Sequence, residues 1–297
     1  MIDEAELRRQ AAASGVGLAI ADLDYGLGCL LASLFRHPQS GTLRFKGGTC
    51  LRKCYHADYR FSVDLDFTLA GQLDRRALRR LLEQVVGAAT DEWEMDFGAG
   101  PLKMETVDDD YGRESHSARL YYRGPLRMRG DPRAVRIDVT TVETLAFAPA
   151  VRPIIHPYSD RGLLADVRVP CYTPLEMAAE KVRALCGQRK YAISRDVYDL
   201  DQLSRRHNLD MGELASALPA KFRAKGLDIG GLDVGKLHAR EQDFRQDWSR
   251  NLVHLIGPAP GTSFDEAWRN STSLLQLLAR TLRSPGPSDD CEGIVRS

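Results

Sequence analysis

The chain carries no excess of charge: 41 Lys and Arg stand against 41 Asp and Glu, so a polyanionic partner must be met by a local patch. It has no run near the roughly 18–20 apolar residues that span a bilayer. Residues 1–30 also lack a basic start followed by an apolar stretch, and the expectation is a cytoplasmic protein without a membrane partner. It has no Cys-x-x-Cys pair. Its six cysteines (Cys29, Cys50, Cys54, Cys171, Cys186 and Cys291) show no zinc-like spacing with histidine and read as free thiols. No internal repeat is present. What remains is an ordinary globular composition of 297 residues, 43% hydrophobic and 28% charged, with 25 Gly and 14 Pro. That is enough for one large domain or two modest ones at about 100–200 residues each, and it excludes a collagen-like, coiled-coil or disordered chain.

Local patterns divide the chain. Asp3 and Glu6 form a capping-box arrangement, and Ile20, Leu23, Leu27, Leu30, Leu31 and Leu34 recur at helical spacing, so two helices are expected before His37-Pro38. Leu43 to Lys46 reads as a short strand entering Gly47-Gly48, residues 49–56 as a brief helix and Val63 to Leu69 as a strand. Residues 74–89 are helical, and Trp93 to Thr141 alternates like several strands, most clearly Ala134 to Val139. After Cys171 the character changes. Thr173-Pro174-Leu175-Glu176 is a helix start, and helices are expected to about Arg283, giving an α/β part with N-terminal helices over 1–171, a helical part over 172–283 and a tail over 284–297.

The chemistry concentrates between Lys46 and Phe67. Paired glycines let backbone N–H groups approach a phosphate, and a helix start adds a favourable dipole, so Gly47, Gly48 and Thr49 are candidates to hold a triphosphate. Asp64 and Asp66 share one strand face and are the hard oxygen donors that Mg²⁺ prefers. Asp138 places a third carboxylate in an otherwise apolar strand, where it needs a metal, an arginine or hydrogen bonds. A glycine pair alone is usually a turn, and Asp-x-Asp alone is often a solvated face.

Together, the glycine pair, the Asp-x-Asp strand and the third carboxylate resemble the nucleotidyltransferase superfamily with its polymerase-beta-type palm. Lys46 to Phe67, with Ser62-Val63-Asp64-Leu65-Asp66-Phe67, is similar to the AbiEii abortive-infection nucleotidyltransferase toxins. Glu180-Lys181-Val182-Arg183 with Arg189 resembles that family's lysine helix, and Arg195-Asp196-Val197-Tyr198-Asp199-Leu200 its Arg-Asp-x-Tyr-Asp-Leu segment. His156 to Asp160 also has a counterpart. Val63 departs from the pattern, since many relatives carry an acidic residue there.

The resemblance implies an α/β (α+β) fold with a mixed sheet and a helical C-terminal region. It implies a toxin of a toxin–antitoxin or phage-defence system, with a cognate antitoxin. NTP is the substrate, two Mg²⁺ ions bind Asp64, Asp66 and Asp138, and Lys181 and Asp196 are required for activity. Lys46 joins the nucleotide-binding set with Gly47, Gly48, Thr49 and Lys181, while Ser62 offers its hydroxyl either to a phosphate or to the strand entry. Lys181 suits triphosphate oxygens or a solvated helix face. Asp196 can fix Lys181, position the acceptor, act as base, or simply favour a helix start near a Ser194 cap. The broader group includes the mycobacterial MenT toxins, which act on the tRNA acceptor end, so tRNA is the expected acceptor. Arg119, Arg123, Arg127, Arg129, Arg133 and Arg136, interleaved with Tyr121 and Tyr122, form the candidate RNA patch, with Arg123, Arg127 and Arg129 singled out as acceptor-binding. A small-molecule or protein nucleotidyltransferase, or a non-catalytic module on the same fold, are the alternatives.

Overall fold

The computed structural model describes residues 1–127, 130–187, 191–257 and 263–283. Arg129, Arg189, Cys291 and the 284–297 tail lie outside the described residues. Helix α1 (Glu4–Ser14) begins where Asp3 accepts a hydrogen bond from the Glu6 N–H at 2.7 Å, as the Asp3–Glu6 spacing predicts. Helix α2 (Leu18–Arg36) corrects one expectation: by length and composition it could cross a membrane. It is instead a core helix, 72% buried, and its Asp22 and Asp24 are ion-paired inside the fold.

Strand β1 (Leu43–Lys46) runs into the short helix α3 (Gly47–Cys50), which continues as a π turn to Tyr55. Then come β2 (Asp64–Leu69), helix α4 (Arg75–Trp93) capped by Asp74, β3 (Asp96–Asp108), β4 (Glu114–Arg123), β5 (Arg133–Thr140), β6 (Ala150–Pro153) and β7 (Arg168–Cys171). They form a seven-stranded mixed sheet in the order β3-β4-β5-β2-β1-β7-β6. The β2/β5 and β1/β7 pairs are parallel and the others antiparallel. Strand alternation then assigns the faces. Leu65, Phe67, Ile137 and Val139 enter the core, where Phe67 meets Phe35 of α2 and Phe45 of β1. Asp64, Asp66 and Asp138 take the opposite face.

Beyond Cys171 the described residues form helices α5 (Pro174–Cys186), α6 (Ser194–Arg206), α7 (Met211–Ala224), α8 (Val234–His238), α9 (Glu241–Asp247) and α10 (Phe264–Arg283). Thr173 caps α5 by accepting from the Glu176 N–H, with Pro174 in the first turn. One hydrophobic core continues through the sheet and these helices. Cys50 and Cys54 share a buried face, as their spacing predicts, and β7 adds Cys171, so that the three sulfurs lie within 4.8 Å of one another.

Candidate active site

The two glycines each make room for a charged side chain. Gly47 has φ +78°, and a Cβ there would fall 2.6 Å from an Asp66 carboxylate oxygen. A Cβ on Gly48 would fall 2.4 Å from the Arg60 guanidinium. Thr49 is buried, and its hydroxyl donates to the Asp64 carbonyl, tying α3 to the start of β2. Only its backbone remains for the phosphate role the sequence suggests. Ser62 is also buried and lies outside the lining of the cavity described below.

Parallel pairing sets Asp66 directly beside Asp138, and antiparallel pairing sets it beside Lys46. Asp64 lies one step along the same face, opposite Arg136. Burial, and then the charges of Asp64 and Asp138, push the Asp66 carboxyl up to about 6, with Lys46 and Lys181 pulling against them. Burial also raises Asp64, against the pull of Arg195 and Arg136. Asp138 is tied to Arg136 at 2.9 Å. An arginine partner, one of the readings its strand position allowed, is therefore present, yet the carboxylate still crowds Asp66. Carboxylates concentrated on one face, with one held in an unfavourable charge state, fit a hard divalent cation.

The cations of the site are themselves anchored. Lys46 reaches Glu180 at 3.2 Å. Lys181 lies 2.7 Å from both Asp196 and Asp199. Burial works to lower its pKa, but these two carboxylates hold it above the usual lysine value. Lys181 therefore occupies an ion-pair pocket, and its solvated-face reading is excluded. Asp199 was the residue sequence reasoning missed. It takes both arms of Arg60 at 2.8 Å, accepts from the Tyr59 hydroxyl and touches Lys181. Its signal was available, one turn after Asp196 in the same segment. Arg60 itself is buried and fully engaged there. Ser194 does not cap α6; its N–H and hydroxyl both donate to Asp247.

A cavity of about 320 Å³ collects Lys46, Gly47, Asp66, Asp138, Lys181 and Asp196. That is within the size expected for a small-molecule site, ~300–1,000 Å³. Gly48, Thr49, Ser62 and Asp64 are not on its wall. The arginine patch is dispersed. Ser117 of β4 pairs with Asp138, and Arg123 lies six positions farther on, about 20 Å away at the strand rise of ~3.4 Å per residue. Arg123 donates to the Gly130 carbonyl, Arg127 is exposed with φ +44°, and Arg133 binds the Ala19 carbonyl. Tyr122 is buried against Phe97 and cannot stack on a base, whereas Tyr121 is partly exposed. His56 pairs with His207 at 3.0 Å, away from the cavity.

The whole fold is similar to two solved structures. The MenT4 nucleotidyltransferase toxin of Mycobacterium tuberculosis H37Rv superposes with TM-score 0.55 at 20% identity, covering 95% of this chain and 94% of that one. JHP933 of Helicobacter pylori gives TM-score 0.54 at 16% identity, covering 90% and 94%. No protein of curated function matches the sequence significantly. The family model for the nucleotidyl transferase AbiEii toxin of type IV toxin–antitoxin systems matches residues 29–270, a span containing every candidate site residue, and the chain belongs to that family.

Proposed function

We propose that the chain transfers a nucleoside monophosphate from an NTP to an acceptor hydroxyl of RNA, with tRNA the expected acceptor, in a Mg²⁺-dependent reaction. The observation that carries this reading is the meeting of Asp66, Asp138 and Lys181 on one cavity beside the Gly47 turn. Asp64, Asp66 and Asp138 would hold two Mg²⁺ ions, which supply positive charge to the attacking and leaving oxygens. Around them the protein positions and moves protons. Gly47 brings its backbone to the cavity wall, where a phosphate would bind, and Lys181, oriented by Asp196 and Asp199, offers a fixed positive charge to triphosphate oxygens. The acceptor oxygen attacks the α-phosphorus, its proton passes to a carboxylate on the cavity wall, and the bond to the leaving pyrophosphate breaks. Asp196 is the positioning residue for Lys181. Family membership brings with it a cognate antitoxin partner.

The test incubates the protein with each labelled NTP, total RNA and Mg²⁺ or chelator, then separates RNA, protein and small molecules. Label in a tRNA-sized band, lost with chelator, is the expected result. Label in protein or a small molecule would install one of those acceptors instead, and no label with any NTP would overturn the reading.

A further inference from the structure

Strand register reveals a row of basic side chains that the linear sequence hides. On β2, β5, β4 and β3 the residues Asp64, Arg136, Arg119 and Lys103 stand opposite one another in turn. The neighbouring row is Asp66, Asp138, Ser117 and Glu105. Residues in register share a face, so Arg136, Arg119 and Lys103 lie on the same face as the three aspartates. All three are exposed. On the other side of the Asp66–Asp138 row the same face continues with Thr140, Ser115 and Val107, which line the cavity.

Adjacent like charges on directly opposed strand positions are destabilising, by some fraction of a kcal/mol per pair. Of the three, Arg136 alone is ion-paired with a described residue, Asp138 at 2.9 Å. The Arg119 side chain makes no ion pair or hydrogen bond with any described residue. Lys103 lies 5.6 Å from the ring centre of Tyr121, which is partly exposed two residues beyond Arg119 on the same face. Three strands at ~4.8 Å spacing set these cations over roughly 10 Å, leading away from Asp64. A cationic row with an open ring beside it is the arrangement that holds a single nucleic-acid strand through its phosphates and by base stacking.

We infer that Arg136, Arg119 and Lys103, with Tyr121, form the acceptor track, binding the single-stranded end of an RNA so that its hydroxyl reaches the aspartates opposite the nucleotide cavity. This rests on the RNA-acceptor reading and replaces the patch at Arg123 and Arg127 as the acceptor surface. On a single strand, each cation withdrawn from a phosphate lowers the slope of log affinity against log salt by about 0.7.

The experiment titrates a tRNA mixture into the full chain at several salt concentrations. It compares the parent, Lys103→Ala/Arg119→Ala, Tyr121→Ala, and Arg76→Ala/Arg80→Ala on α4 as a control with the same change in net charge. The expected result is about 10–100-fold weaker binding by the first variant, with its slope reduced by about 1.4, and no slope change in the control. Tyr121→Ala should weaken binding with an unchanged slope, because stacking releases no counterions. A folded Lys103→Ala/Arg119→Ala variant that keeps both affinity and slope overturns the track while leaving the RNA reading in place. A parent protein that binds no RNA overturns both.

Discussion

Asp24 and Asp66 are both withdrawn from bulk water, and they are treated in opposite ways. Asp24, in α2, has Arg52 at 2.6 Å, Lys53 at 2.8 Å and the Tyr158 hydroxyl at 3.1 Å. Burial works to raise its pKa, but the two cations hold it well below the usual carboxylate range. Asp66 faces Asp64 and Asp138, and its nearest cations, Lys46 and Lys181, are already paired with Glu180, Asp196 and Asp199. Its carboxyl is pushed up to about 6. One charge is satisfied by cations of the chain and the other is set against like charges. The first arrangement ties α2 to the turn after α3; the second, carboxylate against carboxylate, costs the fold some stability and is what the proposed cation site requires.

Substitution by asparagine should separate the two most sharply. Asp66→Asn should cut transfer by about 100–1,000-fold while leaving the melting temperature in chelator unchanged or raised, since it removes a repelled charge. Asp24→Asn should cost about 3–5 kcal/mol, because it leaves two buried cations short of their partner, with the folded fraction still active. Transfer assays normalised to folded protein, alongside urea melts, check both. A strongly destabilised Asp66→Asn would collapse the distinction.

Asp199 and Asp196 test whether the division runs cleanly through the Lys181 pocket. Asp199→Asn weakens the hold on Arg60 and Lys181 at once and should lose stability and activity together. Asp196→Asn leaves Lys181 paired with Asp199. It should cost roughly 10–100-fold in turnover, as loss of an orienting partner does, and less stability than Asp199→Asn, which weakens the hold on both Lys181 and Arg60. Separate NTP titrations identify the impaired step, which should be nucleotide use. Equal destabilisation by the two changes would make Asp196 a structural residue.

The residues differ in how far they could be read from the chain. Asp64, Asp66 and Asp138 were legible because strand alternation makes an acidic position among Leu65, Phe67, Ile137 and Val139 conspicuous. Lys181 and Asp196 were legible by family resemblance, and the helix start at Thr173 by its own capping chemistry. Partners distant in sequence were not. Lys221 binds Glu143 and Glu176 across 78 and 45 residues, Arg60 finds Asp199 across 139, and Cys171 meets Cys50 and Cys54 only through the β1–β7 pairing. The spatial arrangement of the arginines was hidden for the same reason. Arg119, Arg123, Arg133 and Arg136 stand on β4 and β5, and only the register shows that Arg119 neighbours Arg136 and Lys103 while Arg123 lies four residues, about 14 Å, farther along β4.

The smallest expected effect concerns a half-buried base, His207, and it sharpens the comparison because its sign opposes that of Asp66. His207 lies 3.0 Å from His56, with Arg152 and Arg206 nearby. Burial, then His56 and these arginines, lower its pKa to about 4. The folded chain thus keeps it neutral where the unfolded chain, near 6.5, takes up a proton. Its contribution to stability is complete above pH 6.5 and is lost as the pH falls toward 4. Asp66 runs the other way. With its folded pKa near 6 and its unfolded value at 3.8, protonation between those limits favours the folded state. His207→Gln should therefore flatten the acid side of the stability profile, narrowing the difference between pH 7 and pH 5 by about 1–2 kcal/mol after allowance for solvent screening. Asp24 cannot mimic this, because its contribution is lost only below the ordinary aspartate range. Urea melts of the parent and His207→Gln at pH 7, 6 and 5 in chelator measure the difference. Superimposable profiles would mean that His207 titrates alike in both states, and that the charge imbalance at Arg152 and Arg206 is relieved by solvent.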